Sequence, residues 1–246
     1  MNIVCIEYEP MVHILFSEWS QIHAYILKFE QEGIVTRTFR RLDPERQQAV
    51  VQALLDEAVE KGPTAVNIKQ VAERAGVAVG SLYQYFCNRN GLLAFSTALT
   101  VSLLTDAFSA FKPFLVEMPL REALRAYLQG GMEWSQTMQG LIQFYGRAAY
   151  TGDPSLAETV VRPVAEAMRQ TMLEILTAAR ERGELRPGLD LETAARAVNA
   201  WIIVLADSQM LPYLNNYFQV SSASTSFDSV VDSALAILEQ GLMSRP

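Results

Sequence analysis

Apolar residues recur along most of this chain at spacings of three and four, the period of a helix with one buried face, and strict alternation is scarce. Met11, Ile14, Leu15, Trp19, Ile22, Ile26 and Phe29 make a first stripe. Val50, Val51, Leu54, Leu55 and Ala58 make a second, in a helix opened by Asp43 as N-cap with Pro44 at its first position and ended by Gly62-Pro63. Further helices are expected over Gly91–Phe111, broken by Lys112-Pro113, then over Leu120–Thr137, Gly140–Tyr150, Pro154–Arg182, Leu191–Leu211 and Asp228–Met243. Gly183 to Asp190 reads as a Gly/Pro turn, and Asn215 to Ser226 as a polar, Ser-rich loop. The pattern predicts an all-α fold.

Residues 62–93 depart from these long elements. Asn67 is an N-cap, and Gln70 three residues later completes a capping box. Ile68, Val71, Ala72 and Ala75 follow at helical spacing, and Gly76 stops the helix with a left-handed backbone. Val77 plugs the turn, and Ser81 to Phe86 forms a second, very short helix. Leu82 and Phe86 should pack inward and leave Ser81, Gln84 and Tyr85 pointing out. Two short helices around a tight glycine turn are the layout of a helix-turn-helix DNA reader.

The stretch resembles the DNA-binding domain of the TetR family of bacterial transcriptional regulators, through Ile68 to Val77, then Gly80 to Phe86, then Asn88-Arg89 before Leu92-Leu93. The resemblance implies an N-terminal three-helix DNA-binding domain over 36–92, a larger C-terminal helical ligand-binding and dimerisation domain over 93–246, and an extension over 1–35. It also implies roles for particular side chains. Tyr85 and Arg89 match phosphate-contacting positions, and Lys69 and the amides after Asn67 lie at a helix N-terminus that favours an anion. Val79, Gly80, Ser81, Tyr83 and Gln84 match base-reading positions, where Gln84 suits adenine and Val79 a thymine methyl. The plainer alternatives are a partly buried structural tyrosine at 85 and a solvated glutamine at 84. Where the family commonly has a capping Ser this chain has Ala78, and Asn90-Gly91 replaces an acidic pair.

Charge changes the picture by its distribution. The net charge is −7, with −4 over residues 1–35, +2 over 36–90 and −5 over 91–246. The one basic block coincides with the reader, as suits site-specific binding to duplex phosphates. Arg37, Arg40 and Arg41 read either as a basic arm toward the DNA or as a solvated cluster.

Catalytic and metal signals are missing from the sequence. Both histidines, His13 and His23, lie in the extension, and no phosphate loop, GxSxG or HExxH motif occurs. Cys5 and Cys87 form no disulfide framework or zinc spacing, which suits a reducing cytoplasm. Cys87 reads as a passive small residue, with a redox switch as the sharper alternative. Carboxylate pairs such as Glu158/Glu166 and Glu181/Glu184 read as solvated helix faces. No cofactor is expected, and neither a transmembrane span nor a signal peptide is recognised.

For the body, the resemblance implies a cavity for a small apolar or aromatic effector, with Trp134, Phe144, Tyr145, Met168, Met172 and Trp201 as lining candidates and Arg147 as an anchor for an anionic group or a surface ion pair. Ala194, Ala195, Val198, Ile202, Leu205, Val231, Ala234, Leu235 and Leu238 read either as a four-helix homodimer seam or as monomer core. Residues 1–34 read either as a docked helix or as translation called too far upstream, with Val35 as the alternative start. The function expected is a ligand-responsive repressor leaving a near-palindromic operator. A helical small-molecule scavenger with a degenerate reader is the rival.

Overall fold

The computed structural model describes residues 19–62, 64–133 and 136–243. The expectations placed on Cys5, Met11, His13, Ile14, Leu15, Pro63 and Trp134 lie outside them. Among the described residues there is no β-sheet, only two isolated bridges. The chain divides into two compact units: residues 1–103 with 135–144, and 104–134 with 145–246.

The first unit begins with α1 (Trp19–Gln31), which buries Ile22, Ile26 and Phe29. The chain then turns back, with the Ile34 and Val35 amides both donating to the Phe29 carbonyl at 2.8 and 3.3 Å. It enters the short α2 (Arg37–Arg40), N-capped by Thr36. α3 (Pro44–Lys61) starts as expected, with the Asp43 carboxylate accepting the Arg46 amide at 3.0 Å and Pro44 at the first position. Its apolar stripe of Val50, Val51, Leu54, Leu55 and Ala58 is buried. α4 (Ile68–Arg74) and α5 (Val79–Phe86) follow, and α6 (Arg89–Glu117) gives its first half to this unit. The centre is aromatic: Phe39 stands 5.0 Å from Phe86, 5.6 Å from Tyr85 and 5.7 Å from Phe95, and Phe29 meets Phe95 edge-on at 5.7 Å. Such tilted and edge-to-face pairs add to the burial of large apolar rings.

The second unit contains the rest of α6, α7 (Leu120–Glu133), the end of α8 (Gln136–Tyr150), α9 (Pro154–Leu156), α10 (Arg162–Glu181), α11 (Leu191–Met210), the short α12 (Asn215–Phe218) and α13 (Phe227–Leu242). α10 packs along α11, and the turn between them carries Gly183 and Gly188 at φ +74° and +76°.

Three expectations need correction. Lys112-Pro113 does not break α6: Phe111 and Leu115, either side of the proline, are buried, and that burial offsets the missing hydrogen bond. The helix expected over Pro154–Arg182 contains a widened π turn at Ala157–Val161, next to Pro163, whose ring would otherwise clash with the carbonyl four residues back. Asn215 to Ser226 is not an unstructured loop. It holds α12, and the Asn215 amide group both donates to the Ser221 carbonyl at 2.9 Å and accepts the Ser221 amide at 3.1 Å. In addition, α6 is long and apolar enough to cross a membrane by length and composition, a feature the sequence reading did not recognise. Its Leu92, Phe95, Leu99, Leu103 and Leu104 are protein core.

Candidate nucleic-acid interface

α4 is held at both ends by short-range bonds. The Asn67 side chain accepts the Lys69 amide at 3.0 Å. The expected capping box does not form, because Gln70 turns to Glu73 and the Asn67 amide donates instead to Glu57 Oε1 at 3.2 Å. Glu57 is fully buried and lies 3.5 Å from Arg74, which also grips Glu60 with two hydrogen bonds of 3.0 and 2.8 Å. The bond from Arg74 holds the Glu60 carboxyl below its ordinary range, and Glu60 raises Arg74 in turn. α3 thereby fixes α4 through charge as well as packing, a contact that residue spacing within one helix does not reveal.

The turn is a Schellman motif. The Val77 amide donates to Ala72 at 3.0 Å and the Gly76 amide to Glu73 at 3.2 Å, with Gly76 at φ +64°. α5 then starts without a side-chain cap at Ala78. Leu82 and Phe86 point inward as expected. Tyr85 corrects the expectation that it points out: it is 7% exposed and its ring packs on Phe39, the plainer alternative of a partly buried tyrosine. Tyr83 is 45% exposed, Gly80 and Gln84 are exposed, and Val79 and Ser81 are half-buried. Lys69 is exposed. Arg89 is exposed and donates to the Thr64 carbonyl at 2.9 Å.

Behind α5 the chain turns sharply. Cys87 has φ +62° and ψ −49°, and the Asn88 amide returns to the Phe86 carbonyl at 2.7 Å, making a γ-turn. Asn88 then caps α6 by accepting the Gly91 amide at 3.0 Å. A Cβ on Gly91 would lie 2.0 Å from the Phe86 carbonyl oxygen, so only glycine allows this approach. Of the arginines ahead of α3, Arg40 pairs with Glu30, while Arg37 and Arg41 are exposed.

The candidates in the body scatter. Phe144 is fully buried and belongs to the first unit. In the second, Met172 is fully buried and Tyr145 is 9% exposed, while Met168 and Arg147 are half-buried. Trp201 is 45% exposed, so it does not join Met172 in the interior. Ala194, Ala195, Val198, Ile202, Leu205, Val231, Ala234 and Leu235 are each at most 8% exposed within one chain, and Leu238 is half-buried. Of the two readings of these nine, their burial within one chain favours monomer core, and the faces of α11 and α13 left open carry Trp201 and Ile237.

Spacing also missed a buried polar group. The Tyr150 hydroxyl donates to Asp207 at 2.7 Å, and the Tyr127 hydroxyl to Asn199 at 3.4 Å. Burial raises the Asp207 carboxyl, and burial together with the Asp207 charge pushes the Tyr145 phenol up to about 12. The available signal was Asn199, a polar residue on the buried stripe of Ala195, Val198 and Ile202.

Two family profiles match the chain. One, for bacterial regulatory proteins of the tetR family, covers residues 50–94, and the other, for the C-terminal domain of tetracyclin repressor-like proteins, covers 117–206. The chain belongs to the TetR family. It is 35% identical to the HTH-type transcriptional regulator BetI of Pectobacterium carotovorum subsp. carotovorum (strain PC1) over 39% of this chain and 49% of that protein. BetI 2 of Chromohalobacter salexigens is 25% identical over 65% of this chain and 75% of its own. The chain thus spans about half the length of the curated relatives it first matches. Its fold is shared with a TetR-family regulator from Chloroflexus aurantiacus J-10-FL (TM-score 0.56, 24% identity, 86% of this chain and 99% of that one). It is shared too with a transcriptional regulator from Saccharomonospora viridis in complex with choline (TM-score 0.64, 15% identity, 82% and 100%). A TetR-family fold has the N-terminal helix-turn-helix and helical C-terminal domain expected from the sequence.

Proposed function

We propose that this protein is a cytoplasmic, homodimeric repressor that reads a near-palindromic operator and leaves it when a small apolar or aromatic molecule binds its C-terminal domain. The observation that carries the reading is the division of labour on α5: Leu82, Tyr85 and Phe86 anchor it, while Tyr83 and Gln84 stand free to meet base edges. Val79, Gly80 and Ser81 complete the reading surface. Lys69, the amides after Asn67, the Tyr85 hydroxyl and Arg89 take phosphates, Arg89 exchanging its bond to Thr64 for a charge-assisted one.

Two copies associate through the open faces of α11 and α13, where Trp201 and Ile237 are exposed. Their reading heads then meet half-sites about one helical turn apart, or a multiple of it. In the body, Met172 and Tyr145 offer apolar and aromatic contact, and Asp207 with its tyrosines offers a polar end. The effector acts by binding the DNA-free arrangement more tightly than the DNA-bound one.

The test is binding of the full chain to duplex DNA selected in vitro from a randomised pool, at two salt concentrations. Gln84→Ala should cost about 1–3 kcal/mol on the selected duplex and relax preference at one base position. Arg89→Ala should weaken all duplexes alike and reduce the salt slope by about 1. Equal affinity for selected and random duplexes would refute the reading. It would favour the scavenger alternative, whose motivation is the uncapped start of α5 at Ala78.

A further inference from the structure

We propose that Thr36, in the segment ahead of α3, is a positioning residue for base reading that clamps the trailing end of α5. The inference rests on the DNA-reading function proposed above.

An eight-residue helix is not stable alone, and its last four carbonyls have no partner within the helix. The leading end of α5 has no side-chain cap at Ala78, so beyond the burial of Leu82, Tyr85 and Phe86 its polar fastening lies at the trailing end. There the Phe86 carbonyl is taken by the Asn88 amide. The two carbonyls before it are taken by one residue: the Thr36 hydroxyl donates to the Gln84 carbonyl at 2.7 Å, and the Thr36 amide to the Tyr85 carbonyl at 2.9 Å. The same hydroxyl oxygen accepts the Phe39 amide at 3.3 Å and so caps α2. A single side chain joins the start of one helix to the end of another.

The clamp is itself braced. Val35 and Phe39 on either side are 3% and 0% exposed, and Glu30 of α1 pairs with Arg40 of α2. α1 is seated by Ile22, Ile26 and Phe29. The chain ahead of α3 therefore reaches the backbone of Gln84, the residue whose side chain meets the bases. A shift of that carbonyl moves the reading side chain directly, whereas loss of the hydroxyl alone leaves the Thr36 amide on the Tyr85 carbonyl, and the phosphate contacts of Lys69 and Arg89 lie on other helices.

Thr36→Val removes the hydroxyl at nearly constant shape, and Thr36→Ser keeps it. Both would be compared with the parent full-length chain on selected and random duplexes, with melting temperature and hydrogen exchange of residues 79–88 measured alongside. Thr36→Val should bind the selected duplex about tenfold more weakly, as fits the loss of one to two hydrogen bonds. Random-duplex affinity and the salt slope should stay unchanged, exchange in 79–88 should quicken, and Thr36→Ser should restore all of these. Parent-like discrimination in Thr36→Val overturns the proposal. So does an equal fall on both duplexes that tracks the melting temperature, which would mean stability alone. If the parent shows no preference for any duplex, the DNA-reading function falls, and exchange in 79–88 still decides whether the clamp exists.

Discussion

Truncating Phe39 tests whether the segment ahead of α3 belongs to the fold of the DNA reader. The ring is wholly buried and sits within 5.0–5.7 Å, centroid to centroid, of Phe86, Tyr85 and Phe95. Removing a buried phenyl side chain costs about 3–5 kcal/mol, the upper half applying where rigid neighbours cannot collapse into the space. Three aromatic partners on two helices are such neighbours, so Phe39→Ala should cost about 4 kcal/mol. Against a typical total of about 5–15 kcal/mol, that leaves the first unit close to unfolding. At about 4–8 °C per kcal/mol for a unit of this size, its melting temperature should drop by about 15–30 °C. Phe39→Leu, which keeps most of the volume, should cost about 1–2 kcal/mol. Thermal unfolding followed by hydrogen exchange resolves the units: residues 79–95 should lose protection well before 195–210. A loss below about 1 kcal/mol, or equal loss in both segments, would refute the argument and place the start of the cooperative unit at Asp43.

Two further outcomes follow from the geometry. Gly91→Ala forces a Cβ onto the Phe86 carbonyl and should destabilise the first unit by about 1–3 kcal/mol, read as a lower denaturation midpoint. For Asp207, the folded carboxyl is raised above its ordinary 3.8, so the folded state holds a proton that the unfolded state has released. Stability therefore falls as pH rises from that value through the folded one. Asp207→Asn, which keeps an acceptor for Tyr150, should flatten that fall in urea titrations between acid and neutral pH; an unchanged slope would show the carboxyl to be no more costly folded than unfolded.

What could be read in advance was mostly local. The glycine stop at Gly76, the N-caps at Asn67 and Asp43 and the apolar stripe of α3 are settled by a few consecutive residues, and each takes the expected form. The reader was legible because its spacing and turn chemistry are short-range. Where a distant group competes, local rules failed. Gln70 lost the Asn67 amide to Glu57 of α3, and Tyr85, whose position in the motif suggested an outward ring, was drawn onto Phe39. Pro113 lies within a helix because the burial on either side outweighs its local cost.

The body shows the same limit more severely. A stripe of Ala195, Val198 and Ile202 announces a buried face, yet periodicity carries no information on whether the same chain or a second copy buries it. Only packing assigned those residues to the core and left Trp201 and Ile237 outside. Likewise the pairing of Tyr150 with Asp207, and of Thr36 with Gln84, joins residues 57 and 48 positions apart, which no window along the chain compares. By itself the sequence determined the all-α class, the caps at Asp43 and Asn67, the apolar stripe of α3 and the glycine turn of the reader, because backbone geometry and turn chemistry act over a few residues. Tertiary structure alone decided which polar groups are buried together and what clamps the recognition helix, because those energies depend on contacts that exist only once the helices have met.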